Sequence, residues 1–201
     1  MRIFSLLLAL AFAVPAHAQL TLDELDTIAN ENDAAMTEFR KRLNDPDPDR
    51  ALAVLEALVT KGDATQRRLA IRHGLESTDR AVRATVLRAI FDSEPTLRVV
   101  FDPAAETPSV YYNRSIADAG GVLDAEGNGS VTFKLNGYDA ENACWTYTSY
   151  KSCLLRMRGD AVSVWFGKSW GNYELDGATG RLVGEQSIAK NLTTAFIDLS
   201  E

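Results

Sequence analysis

Apolar residues in the first half of the chain recur every three or four positions, which is the spacing of one face of an α-helix. The pattern predicts four helices, and polar residues that can cap a helix precede them. Thr21 with Glu24 can form a capping box before the first, while Asp47 and Asp63 precede the second and third. The predicted helices cover residues 21–43, 47–62, 63–74 and a fourth from Ser77 or Thr78 to 91.

Apolar and polar residues alternate in the second half of the chain, which is the pattern of half-buried β-strands. Turn sequences rich in Gly, Asn and Asp separate these segments at short intervals. Many short strands with no helical pattern between them predict an antiparallel β-sandwich or a barrel-like domain. The predicted strands cover residues 97–101, 109–112, 130–135, 143–148, 153–157, 162–166, 172–175, 181–184 and 193–199.

The aromatic residues divide the chain in the same place. Residues 21–92 contain only Phe39 and Phe91, whereas most other aromatic residues follow residue 100. Pro95 also prevents the fourth helix from continuing. The sequence therefore predicts an α+β fold of two domains, α-helical over residues 19–95 and all-β over residues 96–201.

A shift of 32 residues aligns two parts of the helical half. It pairs Asp47 with Asp79 and Leu55 with Leu87, and the segment 75–83 carries a loop aspartate followed by a Val-Arg pair. Over about residues 43–91 the chain resembles short HEAT-like helical repeats, the variety found in phycobilisome-lyase-type proteins. The resemblance implies stacked α-helical hairpins that bind another protein. A plain helical bundle is the alternative.

The first 18 residues are typical of a secretory signal peptide. Met1-Arg2 gives a positive start, residues 3–14 are apolar, and Pro15-Ala-His-Ala18 ends in a small-residue cleavage site. The apolar segment is too short to cross a bilayer. We therefore expect cleavage after Ala18, a periplasmic or secreted protein, and no membrane anchor.

The charge balance excludes several classes of partner. The chain has 21 basic and 28 acidic residues and a formal net charge of −7. Nucleic acids and anionic membrane surfaces attract basic proteins, so neither is expected as a partner. His73 would be the single histidine after cleavage, which excludes metal sites built from several histidines. We expect no cofactor.

Cys144 and Cys153 are the two cysteines of the chain. An even number of cysteines in an exported protein predicts a disulfide. A redox-active or metal-binding pair is the alternative, but such pairs usually have the C-x-x-C spacing, which is missing here. We therefore predict a structural disulfide.

The segment that begins at Asp124 resembles the first part of a calcium-binding loop. Asp124, Glu126 and Asn128 place oxygen atoms at alternate positions before a glycine. Leu135 stands where such a loop needs a bidentate glutamate. Two interpretations remain, a polar hairpin turn and a calcium site with Asp124, Glu126 and Asn128 as ligands.

Several short motifs suggest catalysis or adhesion but lack their companions. Gly167–Gly171 matches G-x-S-x-G without a histidine downstream, and Ser187–Lys190 matches S-x-x-K without the other elements of that enzyme class. Arg158-Gly-Asp160 has the composition of a tight turn. Glu174 and Asp176 lie on one face of a predicted strand and could form a carboxylate pair of the kind that glycosidases use, with a solvated strand end as the alternative. We expect that the protein is not an enzyme.

The aromatic residues around the cysteines are the most informative candidates for binding. Alternation on the strand 162–166 places Trp165 on the face opposite the valines, so we expect its ring to face outward. Trp170 and Tyr173 follow within reach, and such rings can stack on sugars or anchor a protein partner. The sequence thus predicts an exported, non-enzymatic binding protein that mediates protein–protein interaction through its helical repeats. The alternatives are a carbohydrate-binding β domain that uses Trp165, Trp170 and Tyr173, and lastly a glycan-active enzyme.

Overall fold

The computed structural model describes residues 21–103, 107–147 and 152–199. The predicted signal peptide, residues 1–18, lies outside the described residues. The described residues divide into two compact units, one up to residue 37 and the other from residue 38 onward. The helices are α1 (Leu22–Leu43), α2 (Pro48–Lys61), α3 (Ala64–Leu75), α4 (Arg80–Asp92) and α5 (Val110–Asp118). The strands are β1 (Thr96–Asp102), β2 (Val122–Leu123), β3 (Gly129–Asp139), β4 (Cys144–Tyr147), β5 (Ser152–Arg158), β6 (Ala161–Phe166), β7 (Ser169–Asp176), β8 (Arg181–Ile188) and β9 (Asn191–Asp198).

Aspartates cap α2, α3 and α4. The carboxylates of Asp47, Asp63 and Asp79 each accept hydrogen bonds from two backbone N–H groups in the first turn of the helix that follows. The predicted starts of α2 and α3 are confirmed. The fourth helix begins after Asp79 rather than at Ser77 or Thr78, because the Ser77 hydroxyl accepts a hydrogen bond from the Asp79 N–H instead.

The apolar faces of α2 and α4 share one core. Leu55 and Leu87 are almost fully buried, at 1% and 0% exposed, as the pattern predicts. Gly74 on α3 allows α4 to come close, since a Cβ at this position would lie 2.1 Å from Cγ2 of Val86. Packing of this kind is compatible with stacked hairpins and with a plain bundle, so the resemblance to HEAT repeats stays a prediction.

Eight antiparallel strands close into a barrel. Their order is β1-β9-β8-β7-β6-β5-β4-β3, and β1 pairs with β3 as well as with β9. The short strand β2 extends the sheet beside β3. Of the two predicted alternatives, sandwich and barrel, the structure has the barrel. Buried residues that alternate along the strands fill its interior, among them Val99, Val131, Val164, Leu182 and Ile197.

The chain is therefore an α+β protein, with four helices ahead of an eight-stranded barrel. The predicted division near residue 95 falls between the end of α4 and the start of β1.

The segment 109–112 is helical and not a strand, so that prediction is wrong. Ser109 caps α5, and its hydroxyl accepts a hydrogen bond from the Tyr112 N–H. Tyr112 and Ile116, four residues apart, are buried on one face of the helix. The segment 109–112 alone is too short to show this helical spacing, which appears only when Ile116 is included.

Helix α4 packs against Trp145 of β4. The Phe91 ring meets the Trp145 ring edge to face, with 5.3 Å between centroids, and the Trp145 Nε1–H donates to Asp92 at 2.8 Å. The Arg88 guanidinium lies 5.3 Å from the centroid of the same indole. Trp145 is thereby fully buried, with its one polar atom satisfied.

Two arginines on α4 bind the turn between β5 and β6. Asp160 accepts hydrogen bonds from Arg80 Nε at 3.0 Å and from Arg83 Nε at 2.9 Å, and it is only 8% exposed. Burial raises the pKa of the Asp160 carboxyl, but the hydrogen bonds from Arg83 and Arg80 outweigh burial and hold the pKa below its usual value. The Arg158-Gly-Asp160 tripeptide thus has its aspartate bound within the protein.

The hairpin turns of an antiparallel barrel alternate between its two ends. Asp160 and Gly177 lie in turns beside the helices, with Gly177 next to the Leu75 carbonyl. We call this the helix end. The turns at residues 167–168 and 189–190 lie at the opposite end, which we call the cleft end.

Candidate functional site

The predicted disulfide is present and joins two neighbouring strands. Cys144 begins β4 and Cys153 lies in β5, with 5.7 Å between their Cα atoms. The bridge therefore ties the two strands that form one wall of the barrel. Tyr147, the last residue of β4, lies at the cleft end of that wall.

Trp165 and Trp170 form a pair on the outside of the barrel. They are register partners on β6 and β7, with ring centroids 5.4 Å apart, and both are half-buried. The Arg156 guanidinium lies 4.6 Å from the Trp170 centroid and covers that ring. Trp165 is thus the ring of the pair that is left to line a surface, and it faces outward as predicted.

Tyr173 does not join the tryptophan pair. Its side chain points into the barrel and is 1% exposed, and its hydroxyl has no hydrogen-bond partner among the described residues. Burial raises the pKa of this hydroxyl. Residues 170 and 173 are an odd number of positions apart, so a strand must place them on opposite faces. Tyr173 is therefore a core residue, and the predicted patch of three rings is reduced to two.

The Asp124 carboxylate organises its own loop. It accepts hydrogen bonds from the backbone N–H groups of Glu126 and Asn128 and from the Asn128 amide. The Asn128 side chain, ahead of these backbone groups, lowers the pKa of Asp124. These bonds define a polar turn before β3. The calcium site at Asp124, Glu126 and Asn128 stays a prediction, and no group of three metal-binding His, Cys, Asp or Glu side chains occurs among the residues that the structure describes.

The catalytic-like motifs lie in hairpin turns. The Ser169 hydroxyl donates to the Ser187 carbonyl at 2.9 Å and accepts from the Gln186 amide at 3.0 Å, so it holds two hairpins together. Asp176 caps the β7–β8 turn and accepts a hydrogen bond from the Thr179 hydroxyl, which lowers the Asp176 pKa. Both residues thus have structural partners.

A cleft of about 1420 Å³ opens at the cleft end of the barrel. Aromatic side chains from the inner and the outer face of the barrel wall form the apolar surface of the cleft. Phe133 and Tyr147 meet edge to face with 5.3 Å between centroids, and Phe166 packs 5.9 Å from Phe133. Trp165 and Tyr111 complete the ring surface, and the Tyr111 side chain is 74% exposed.

The cleft lies beside the part of β3 that precedes its pairing with β4. β3 has eleven residues, and the described part of β4 pairs with it from Leu135 to Asp139. On the same side, β2 pairs with Gly129 and Ser130. Within the described ranges, residues 131–134 of β3 therefore have no strand partner on this side, and Thr132, Phe133 and Lys134 line the cleft instead.

Helix α5 forms one side of the cleft and is fixed by a buried tyrosine. The Tyr112 hydroxyl donates to the Phe101 carbonyl at 3.2 Å and accepts from the Gly129 N–H at 3.0 Å. Gly129 allows this approach, because a Cβ there would lie 2.8 Å from the Tyr112 hydroxyl and 2.7 Å from Cδ1 of Ile116. The opposite face of α5, with Tyr111 and Arg114, is thereby turned toward the cleft.

The charged residues around the cleft are mostly basic. Among the described residues, Asp118 is the one acidic residue that lines it, and it pairs with Arg114 on the same helix at 3.5 Å. Lys134 donates a hydrogen bond from Nζ to the Glu94 backbone carbonyl, which is a neutral group. The basic residues of the cleft are Arg114, Lys134, Lys168 and Lys190.

The sequence analysis names Trp165 but none of these four cations. Lys168 lies within the G-x-S-x-G match, which is interpreted as a loop, and Lys190 lies within the S-x-x-K match, which lacks the other elements of its enzyme class. The feature of the sequence that could have identified them is that each lysine is the second residue of a two-residue hairpin loop. Arg114 was missed because its segment was predicted to be a strand and a loop.

No protein-family model, no curated protein and no solved structure matches the chain. Among the described helices, none combines the length and the apolar character needed to cross a membrane. The function is therefore argued from the cleft itself.

Proposed function

We propose that this chain is a non-enzymatic binding protein that binds an anionic ligand in the cleft. The observation that carries the proposal is a local reversal of charge. Of the residues that the structure describes, four basic residues and one acidic residue line the cleft, whereas the whole chain has 21 basic and 28 acidic residues. A concave surface lined by one sign of charge concentrates ligands of the opposite sign.

The ring surface indicates that the ligand also has a flat or apolar part. Binding sites for small molecules are concave, are lined largely by apolar and aromatic side chains, and contain a few polar groups that set orientation. Phe133, Phe166 and Trp165 supply the first kind of surface, and the four cations supply the second.

We further propose a periplasmic or secreted location. The signal-like residues 1–18 support this, as does the Cys144–Cys153 disulfide, because such bonds persist in oxidising compartments.

Titration with 8-anilinonaphthalene-1-sulfonate, an aromatic anion, tests the binding proposal. We expect saturable binding to the full chain that weakens as salt is added, since salt screens exposed charges. The double variant Arg114→Glu, Lys190→Glu should bind the dye more weakly. Lys61→Glu, on the last turn of α2, is the control for a change of charge outside the cleft. Equal binding by all three proteins would contradict the proposal.

A second candidate function is binding of a protein partner by the helical half. A groove of about 640 Å³ between the starts of α2 and α4 favours it, with Pro48, Leu52 and Val82 among its lining residues. Ala81→Arg would block this groove with an exposed side chain. Loss of a partner from a cross-linked envelope fraction with Ala81→Arg, but not with Arg114→Glu, would support this function.

A further inference from the structure

The two lysines at the hairpin tips occupy backbone conformations that favour glycine. Lys168 has φ = 71° and Lys190 has φ = 74°, and the residues before them, Gly167 and Ala189, also have positive φ. Two-residue hairpin loops of this form usually carry Asn or Gly, because a Cβ is disfavoured at positive φ. The sequence thus places a lysine twice where glycine would be less strained. Strain of this kind tends to persist at functional sites.

The two tips lie side by side. A Cβ added at Gly167 would lie 3.1 Å from the Ser187 carbonyl oxygen and 3.2 Å from the Ile188 Cα, so the β6–β7 turn packs against the end of β8. Both lysines are exposed and line the same cleft. In the part of the chain that the structure describes, neither has a carboxylate within 4.0 Å. Two adjacent uncompensated cations therefore face any occupant.

The shape of the cleft indicates what the rest of the occupant is. Side chains fill the barrel interior, and Phe101 and Phe166 stack with 4.7 Å between centroids below the cleft. An acyl chain therefore has no tunnel to enter. Trp165 and Tyr111 instead offer ring surface at the side of an open cleft, which suits the flat apolar faces of sugar rings.

We propose that the cleft binds an acidic oligosaccharide, with Lys168 and Lys190 binding carboxylates of its uronic acid units and Trp165 stacking on a sugar ring. This inference rests on the proposed function, since it names the class of anion that the cleft takes. Carboxylate binding also explains why lysine and not glycine stands at both strained positions, because glycine has no charged side chain that could contact a carboxylate.

Calorimetric titration of the full chain with hexagalacturonate tests the inference, with maltohexaose as the neutral control. We expect binding of the acidic hexamer alone. Lys168→Gly and Lys190→Gly should each weaken binding by up to about fivefold, which corresponds to the upper end of the range for one exposed charge pair. The same two variants should raise the midpoint of thermal unfolding, because glycine relieves the positive φ. Function and stability should thus change in opposite directions.

Ala189→Gly is the matched control. It removes the same kind of strain in the same turn but no charge, so it should raise the unfolding midpoint and leave the affinity for hexagalacturonate unchanged. Lys168→Arg keeps the charge and should keep most of the affinity. Wild-type affinity in both Lys→Gly variants would overturn the role of the lysines.

Three outcomes separate this inference from the proposed function. Binding of anilinonaphthalene sulfonate without binding of hexagalacturonate would overturn the sugar assignment and leave the anion-binding function standing. Failure to bind either probe would overturn both. Binding to phosphatidylglycerol vesicles, again without hexagalacturonate, would assign the cations to a lipid surface and overturn the inference.

Discussion

The two ends of the barrel use the same residue types for different purposes. At the helix end, Trp145 is fully buried with its Nε1–H bonded to Asp92, and Arg83 holds the buried Asp160. At the cleft end, Trp165 is half-buried, and Arg114 is 77% exposed in a pair on its own helix. Tryptophan and arginine thus complete a contact within the protein at one end and line an open surface at the other.

The difference indicates where stability and binding reside. Buried groups with satisfied partners are costly to remove, whereas exposed ion pairs contribute little. We therefore expect substitutions at the helix end to lower the free energy of unfolding, and substitutions at the cleft end to change binding with little effect on the fold.

The largest expected effect is that of Trp145→Ala. Truncation of a fully buried tryptophan costs about 3–5 kcal/mol of unfolding free energy. Trp165→Ala, the matched change at the cleft end, should cost less than about 1 kcal/mol because the ring is half-exposed. Urea unfolding of both variants measures the difference. Equal losses of unfolding free energy in the two variants would contradict the expectation that stability resides at the helix end.

Reduction of the Cys144–Cys153 disulfide should have the second-largest effect on stability. In the chain-entropy treatment, loss of a bridge that closes a loop this short lowers the free energy of unfolding by about 2.5 kcal/mol. Because the bridge joins β4 and β5, hydrogen exchange should accelerate in these strands and leave the amides of α2 to α4 unchanged. Equal acceleration in the helices would contradict local loosening.

Asp160→Asn tests the ion pairs at the helix end. We expect a loss of about 1.5–3 kcal/mol of unfolding free energy at neutral pH, the range for hydrogen bonds to a charged group. The folded pKa of Asp160 is lowered, so its contribution is complete above the unfolded pKa of about 3.9 and disappears as pH falls through the folded value. The stability gap between wild type and variant should therefore close in acid. A constant gap would show that the carboxylate charge is not the cause.

The smallest expected effect is that of Arg114→Ala. Its pair with Asp118 is an exposed pair one helical turn apart, so its loss should change stability by less than about 0.5 kcal/mol. Arg83→Ala, with a side chain only 23% exposed, should cost more in the same assay. A larger loss of unfolding free energy for Arg83→Ala than for Arg114→Ala is the sharpest comparison of the two ends. A larger loss for Arg114→Ala would contradict the proposed difference between them.

Local features of the fold could be predicted from the sequence. The caps at Asp47 and Asp63 were recognisable because an aspartate and the N–H groups it binds lie within three residues. The burial of Leu55 and Leu87 followed from helical periodicity alone. Strand positions were recognisable for the same reason, since alternation is also local.

Features that depend on distant contacts could not be predicted. The closure of the barrel rests on pairing between β1 and β3, and no local pattern distinguishes this from a sandwich. The cleft gathers cations from α5, from β3 and from two hairpin tips, which are far apart in sequence. Tyr173 was placed wrongly because its nearness to Trp170 in sequence was given more weight than the face of the strand on which it lies.

The pairing of β1 has a consequence for the order of folding. Val99 pairs with Ile197 on one side and with Val131 on the other, so β1 is the seam of the barrel. The contact between Val99 and Ile197 is among the longest in sequence, and such contacts form slowly because a long loop has to close. During synthesis, the helices can assemble while β1 still has one edge open. The seam then has to remain unpaired until β9 arrives, which makes the interval before closure the time when this edge is most exposed to wrong partners.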